Sequence, residues 1–233
     1  MPCYNEAPTL SAAIKQVLAS PLVGELIVVD DGSTDDSASI AETFDDDRLV
    51  VVRQGVNCGK GAAVRVGFGR CTLPFVIVQY ADLEYDPGDW PDLLEPLLDG
   101  RADVVFGSRF VGAGPHRVLY FWHYVGNRVL TTVSNMVTNL NLSDMETCTK
   151  VFRREVVESL ELVEDRFGFE PEVTAKVAAG GWRVYEVGVS YSGRTYAEGK
   201  KIGARDGFRA VWCVVRYSAP VERARHWRAA RRA

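Results

Sequence analysis

The chain has 233 residues, enough for one sizeable domain with a full core, or a domain with a small appendage. With 47% hydrophobic and 25% charged residues it has the composition of an ordinary globular protein, and a net charge of −4 gives no overall reason to expect nucleic acid. Five cysteines (Cys3, Cys58, Cys71, Cys148 and Cys213) are odd in number and form no CxxC pair, which argues against a disulfide framework or a zinc site and for reduced thiols in a cytoplasmic setting.

The chain opens with Met-Pro-Cys-Tyr-Asn-Glu, which reads as the end of a strand and suggests an N-terminal truncation. A helix is predicted over 7–20, a strand over 25–29, a helix over 35–44 and a strand over 49–53. A helix over 60–70, a strand over 75–79, a helix over 89–98 and a strand over 103–107 follow. Strands alternating with helices imply an α/β fold with a mostly parallel sheet wound on both faces. The unalternated run Glu25–Val29 fits a strand covered on both sides. After Gly107 the pattern becomes a long polar-spotted helix over 118–140, a short strand near 149–153, and helices near 154–160 and 170–180. A strand over 183–191 and a loop over 192–204 come next. No stretch reaches the roughly 18 apolar residues that cross a bilayer. The nearest, 118–142, is broken by His123, Asn127, Arg128, Asn135 and Asn139, and no signal peptide is present.

Two strand ends carry carboxylates. The first strand of the alternating half ends in Asp30-Asp31-Gly32-Ser33-Thr34-Asp35. Gly32 permits a tight turn and Ser33, Thr34 or Asp35 can cap the next helix, but two adjacent carboxylates repel unless a partner satisfies them. The strand at 75–79 runs into Asp82, Glu84 and Asp86. Ligands of open α/β sheets bind at such strand ends, and closely spaced oxygens suit Mg²⁺ or Mn²⁺, which in turn suits a diphosphate. The alternative is a solvated acidic turn ending in Pro87.

From Arg194 to Ala233 there are eleven Lys/Arg against three acidic residues. Phe208, Val211, Trp212 and Val215 recur at helical spacing, and the tail beyond Pro220 carries Arg223, Arg225, Arg228, Arg231 and Arg232 around Trp227. Such a segment can lie on an anionic membrane surface; the alternative is a docked helix followed by a solvated tail. The predicted organisation is one domain over 1–217 and a basic tail over 218–233.

Taken in order, Pro2-Cys3-Tyr4-Asn5-Glu6, Val29-Asp30-Asp31-Gly32-Ser33, Ala81-Asp82-Leu83-Glu84 and Gly107-Ser108-Arg109 resemble family 2 glycosyltransferases. More narrowly they are similar to dolichol-phosphate mannose synthases and bacterial polyprenyl-phosphate glycosyltransferases. Asp144-Met145-Glu146-Thr147-Cys148, Gly168-Phe169-Glu170-Pro171-Glu172 and Gly193-Arg194-Thr195-Tyr196 continue the agreement over nearly the whole chain. A lone DDGS or GSR is weakly specific; the ordered set is strong. The resemblance implies a Rossmann-like GT-A fold and an inverting hexosyltransferase with a nucleotide-sugar donor (UDP- or GDP-linked), Mg²⁺ or Mn²⁺, and a polyprenyl-phosphate acceptor at the inner membrane face.

By the same resemblance Pro2, Tyr4, Glu6 and Ala81 line the nucleotide pocket, Asp30 or Asp31 bonds base or ribose, and Asp82 with Glu84 holds the metal. Arg109, Arg128 and Arg194 correspond to, or lie near, arginines that hold phosphates, and Asp144 orients groups in the pocket. Glu172 is a weaker candidate that also suits the first turn of a helix. Lys200 and Lys201 belong to a loop that covers donor or lipid phosphate, or else to a basic turn. Guanidinium groups stay charged and grip phosphate bidentately. A lipid monophosphate, with a second pKa of about 6, is already nucleophilic near neutral pH and needs no strong base.

One departure stands out. Tyr80 occupies a position where the family usually has aspartate, and a neutral phenol supplies less charge to a cation. A catalytically weakened nucleotide-sugar-binding homologue is therefore the alternative reading. Thr149 and Ala204 stand where larger aromatics are expected in close relatives. A nucleotidyltransferase would share the sheet and carboxylates, but the early loop lacks a Gly-rich, basic triphosphate signature.

Overall fold

In the computed structural model, which describes residues 1–112, 117, 118, 120–195 and 204–217, the strands form two sheets. Strands β1 (Pro2–Cys3), β2 (Leu26–Asp30) and β3 (Leu49–Arg53) pair in parallel in that order. Every residue of β2 is buried, as its unbroken apolar run requires. Strands β4 (Phe75–Ile77), β5 (Val104–Ser108), β6 (Lys150–Arg153) and β7 (Val184–Gly188) form the second sheet in the order β4-β6-β5-β7. There β6 runs antiparallel to both neighbours, while β5 and β7 are parallel. Within each sheet every described strand except β6 thus points the same way, and contacts of Arg194 with Glu6, Asp82 and Glu84 bring the C-terminal ends of β1, β4 and β7 together at one edge.

Helices cover both faces. Helix α1 (Ala7–Ala19) opens at Pro8, where a missing N–H costs nothing, and buries Leu10, Ala13, Ile14 and Val17. With α2 (Ser37–Glu42) and α4 (Trp90–Leu98) it covers one face, packing Ile14, Leu93 and Leu97 against Val28 and Val105. On the other face α3 (Lys60–Phe68), α6 (Arg154–Ser159) and α7 (Phe169–Gly180) set Val64, Val156 and Phe169 against Val104 and Phe106. Helix α5 (Phe121–Thr138) ends on Asn139 in the left-handed conformation, φ 59°. Helix α8 (Ala204–Arg216) packs on α5 and α7. Between Leu26 and Ile27 of β2 and Val76 and Ile77 of β4 lies an apolar cavity of about 470 Å³, where the Met1 amino group donates to the Ile27 carbonyl at 2.7 Å.

The described part of the stripe read on α8 lies on its exposed side. Ala210, Cys213, Val214 and Tyr217 are buried, whereas Val211, Trp212 and Val215 are 41–56% exposed. Two apolar stripes interleave on this helix, and the one that includes Tyr217 packs inward. No helix of the described residues is long and apolar enough to cross a membrane. The basic tail 218–233, together with Tyr196, Lys200 and Lys201, lies outside the described residues.

Candidate active site

The loops leaving the common edge bring most of the sequence-predicted residues together. The loop after β4 is closed by Gln79, whose amide donates to the Tyr85 carbonyl at 3.1 Å. Leu83 takes φ 60°, which turns the backbone so that the Glu84 N–H donates to Asp82 Oδ1 at 3.2 Å. The segment after β7 is stitched onto this loop: Ser192 N–H donates to the Glu84 carbonyl at 2.9 Å, and the Tyr85 and Tyr191 rings pack at a 50° tilt with centroids 5.2 Å apart. Arg194 N–H and the Tyr191 hydroxyl donate to the two Glu84 carboxylate oxygens at 2.8 and 3.1 Å.

These links deliver Arg194 into an acidic pocket. Its guanidinium donates to Glu6 at 2.9 and 3.2 Å and lies 3.7 Å from Asp82 and 3.5 Å from Glu84. Burial, reinforced by Glu84, pushes the Asp82 carboxyl up to about 6. Among the described residues no three His, Cys, Asp or Glu side chains lie close enough to hold a metal ion unaided. The chemistry nevertheless fits a hard cation bound through one or two carboxylates with diphosphate oxygens completing the shell, since three carboxylates gather here around a guanidinium.

A second arginine is held differently. Arg109, at the end of β5, makes a bidentate pair with Asp144 at 2.6 and 2.7 Å, and its backbone N–H reaches the same carboxylate at 3.1 Å. Asn127 adds a bond at 3.2 Å. Asp144 is 0% exposed and Arg109 16%. Burial opposes its charge, yet the Arg109 guanidinium holds the Asp144 carboxyl below the usual carboxylate range. Asp144 therefore anchors Arg109 and does not face the pocket. Arg128, exposed on α5, reaches only the Ser143 carbonyl among the described residues, at 3.4 Å, and does not join the acidic pocket.

The adjacent aspartates divide their tasks. Asp31 accepts from Gln54 Nε2, Cys58 N and Gly59 N at 2.9, 2.8 and 2.7 Å, so the protein itself satisfies it. Its partner loop comes so close that a Cβ on Gly32, whose φ is 69°, would meet the Val56 backbone at 2.7 Å. Asp30 accepts from Ser33 N at 3.2 Å through one oxygen, and its other oxygen is buried without a partner. Pro2 and Ala81 are buried and Tyr4 is half-buried around this edge.

Sequence reasoning missed an ionic nest beneath the acidic loop. Lys60, at the start of α3, pairs with Glu170 in the first turn of α7 and lies 3.7 Å from Cys148 Sγ. Its ammonium sits over the Tyr80 ring, 4.9 Å from the centroid. Burial opposes the charge, but Cys148, Glu170 and Tyr80 together hold Lys60 well above the ordinary lysine range. Burial likewise keeps the Tyr80 phenol far above its usual value, hence neutral, and its hydroxyl has no partner. Glu146 is pushed up to about 7 by burial and by Glu170. Glu186 of β7 accepts the Ser143 and Asp144 N–H groups at 2.9 and 3.1 Å; a glutamate inside an apolar strand was the available signal. Glu172 accepts the Val163 and Glu164 N–H groups at 2.9 and 2.8 Å and pairs with Lys176, which makes it part of the α7 framework.

The family model described as Glycosyl transferase family 2 matches residues 1–161. An uncharacterized glycosyltransferase of Mycobacterium tuberculosis is 35% identical over 210 residues, covering 89% of this chain and 90% of that protein. A polyprenol monophosphomannose synthase of Mycolicibacterium smegmatis is 29% identical over 214 residues, covering 88% and 80%. Among solved structures, glucosyl-3-phosphoglycerate synthase from Mycobacterium tuberculosis, in complex with Mn²⁺, UDP-glucose and phosphoglyceric acid, superposes with a TM-score of 0.70 at 20% identity, covering 93% of this chain and 77% of that one. At that identity the likeness establishes the fold alone, and the fold is the GT-A architecture the motifs imply.

Proposed function

Because the chain belongs to glycosyl transferase family 2, we propose that it moves a hexose, with inversion, from a UDP- or GDP-linked donor to a polyprenyl or dolichyl phosphate. The observation that carries this reading is the convergence of Glu6, Asp82 and Glu84 on Arg194 at the C-terminal edge of the sheet. Asp82, with Glu84, would hold Mg²⁺ or Mn²⁺ against the donor diphosphate, and the bound ion would neutralise charge on the departing group. Tyr4, Pro2, Ala81 and the open oxygen of Asp30 take the nucleoside. Arg194 and Arg109 supply fixed positive charge to phosphate oxygens, Arg109 being pre-oriented by Asp144. Arg128, farther out on α5, suits the acceptor phosphate. No general base is required, so catalysis rests on positioning and electrostatics.

The lipid side of the proposal has its own support. Phe121, Trp122 and Met136 on α5 are 66–79% exposed, and no carboxylate occurs between Asp103 and Asp144. An apolar face bordered by arginines suits an anionic membrane surface. The direct test is titration calorimetry with UDP- and GDP-sugars, with and without Mn²⁺, alongside turnover on polyprenyl phosphate. Metal-dependent donor binding with turnover supports the proposal; an empty pocket in both titrations refutes it. Tyr80 favours a second reading, a weakened sugar-nucleotide binder, because its buried neutral hydroxyl adds no charge to the site. Tight binding without turnover, restored by Tyr80→Asp, selects that reading.

A further inference from the structure

The segment that carries Asp144 is held from beneath by two side chains of opposite charge. Phe106 of β5 stands opposite Lys150 of β6 and opposite Glu186 of β7. Opposed residues of neighbouring strands share a face of the sheet, so the three side chains form one row just before Arg109. Lys150 Nζ lies over the Phe106 ring, 4.9 Å from its centroid. Lys150 is 1% exposed and donates to the Met145 carbonyl at 3.3 Å and to the Thr147 carbonyl. Glu186 Oε1 accepts the Ser143 and Asp144 N–H groups at 2.9 and 3.1 Å, and its Oε2 lies 3.0 Å from the Ser143 nitrogen. An anion thus grips the N–H groups at one end of 143–147 while a cation grips carbonyls at the other. Groups buried in this way are costly to leave unmatched, which pins the segment in one conformation.

We infer that Glu186 and Lys150 are positioning residues that, through segment 143–147 and Asp144, set the direction in which Arg109 presents its guanidinium to a phosphate. The inference rests on the phosphate role proposed for Arg109 and extends it to two side chains that touch no reacting group. Asp144 takes Arg109 Nε and Nη2 at 2.6 and 2.7 Å, which fixes the plane of the guanidinium and leaves Nη1 outside the pair. The Asp144 carboxylate is only as well placed as its own backbone, whose N–H is on Glu186. Loss of either end of the grip lets Asp144 turn and carries Arg109 with it. A guanidinium displaced by about an ångström loses much of its effect, because such donors act by being in place before charge develops.

A double-mutant comparison reads that path. Glu186→Gln keeps the size of the side chain but sets an amide NH₂ among N–H donors, and should lower kcat/KM for transfer to polyprenyl phosphate about tenfold. In an Arg109→Gln background, where no guanidinium is left to position, the same change should lower the remaining transfer by less than about twofold. Thermal melting should show every variant folded; an unfolded Glu186→Gln is replaced by Lys150→Met, judged by the same two ratios. Equal losses in the two backgrounds overturn the inference. Nitrogen-15 NMR of the Arg109 Nε–H adds a readout without turnover, and it decides the matter where Arg109→Gln transfers too slowly to measure. Exchange of that proton with solvent should be slow in wild type and about tenfold faster in Glu186→Gln; equal exchange overturns the inference. Wild type that transfers no sugar but shows this exchange difference refutes the proposed function and leaves the positioning intact, which separates the two failures.

Discussion

Arg109 and Arg194 leave the same edge of the sheet and meet opposite surroundings. Arg109 faces one carboxylate, Asp144, which is wholly buried and takes bonds from both its backbone and its side chain. The Arg194 guanidinium faces three, none closer than 2.9 Å, and the Tyr191 ring lies 5.3 Å from Arg109 with its hydroxyl on Glu84. A balanced pair with every oxygen engaged belongs to the framework. Three carboxylates gathered around one described guanidinium suit the cation site proposed above. Stability and activity should therefore separate between the two arginines.

The largest effect is expected at the acidic site. Asp82→Asn should lower transfer to polyprenyl phosphate by about a thousandfold, the scale of losing one transition-state charge contact, while the melting temperature stays close to wild type. Product formation from labelled donor checks it, and loss of folding instead of activity would erase the contrast. Asp144→Ala should do the reverse. Stranding buried Arg109 costs about 3–5 kcal/mol, measured by urea or thermal unfolding.

The nest between the two sites gives a smaller, pH-dependent effect. Glu146 is raised from 4.5 to about 7, so the folded chain keeps its proton over a window where the unfolded chain has lost it. That contribution is complete at pH below the unfolded value and disappears as pH rises toward 7, so stability should fall across that interval. Glu146→Gln should flatten the fall, and an unchanged slope in melting temperature against pH would assign it elsewhere. The smallest effect lies outside both arginines. Trp122→Ala, at a side chain 77% exposed, should change stability by no more than about 0.5 kcal/mol yet weaken sedimentation with anionic liposomes.

Much of the framework was legible because its signals are local. The runs at 26–30 and 49–53 are apolar without alternation, and both appear as parallel strands. The long helix and the acidic ends of β2 and β4 followed from periodicity and charge alone. What escaped were pairings across the fold: Arg194 with Glu6 spans 188 residues, and Arg65 with Asp165 spans 100. Sequence spacing carries no period for loops that meet only because their strands end at one edge. Lys60 and Glu170 passed unremarked as a pair for the same reason. Asp144 and Asp31 were recognised as special, but their duty is internal, to an arginine and to a loop, and residue type alone cannot separate that from contact with a ligand. On α8 two apolar stripes competed, and packing against α5 and α7, which spacing along the chain does not encode, selected the one that turned inward.

The cavity of about 470 Å³ between β2 and β4 has a consequence for hydrogen exchange. It is wide enough for water and its rim includes the exposed Leu22 and Leu73, so solvent reaches the side of β4 that no described strand covers. The amide hydrogens of β4 should therefore exchange sooner than those of β5, which is paired on both sides.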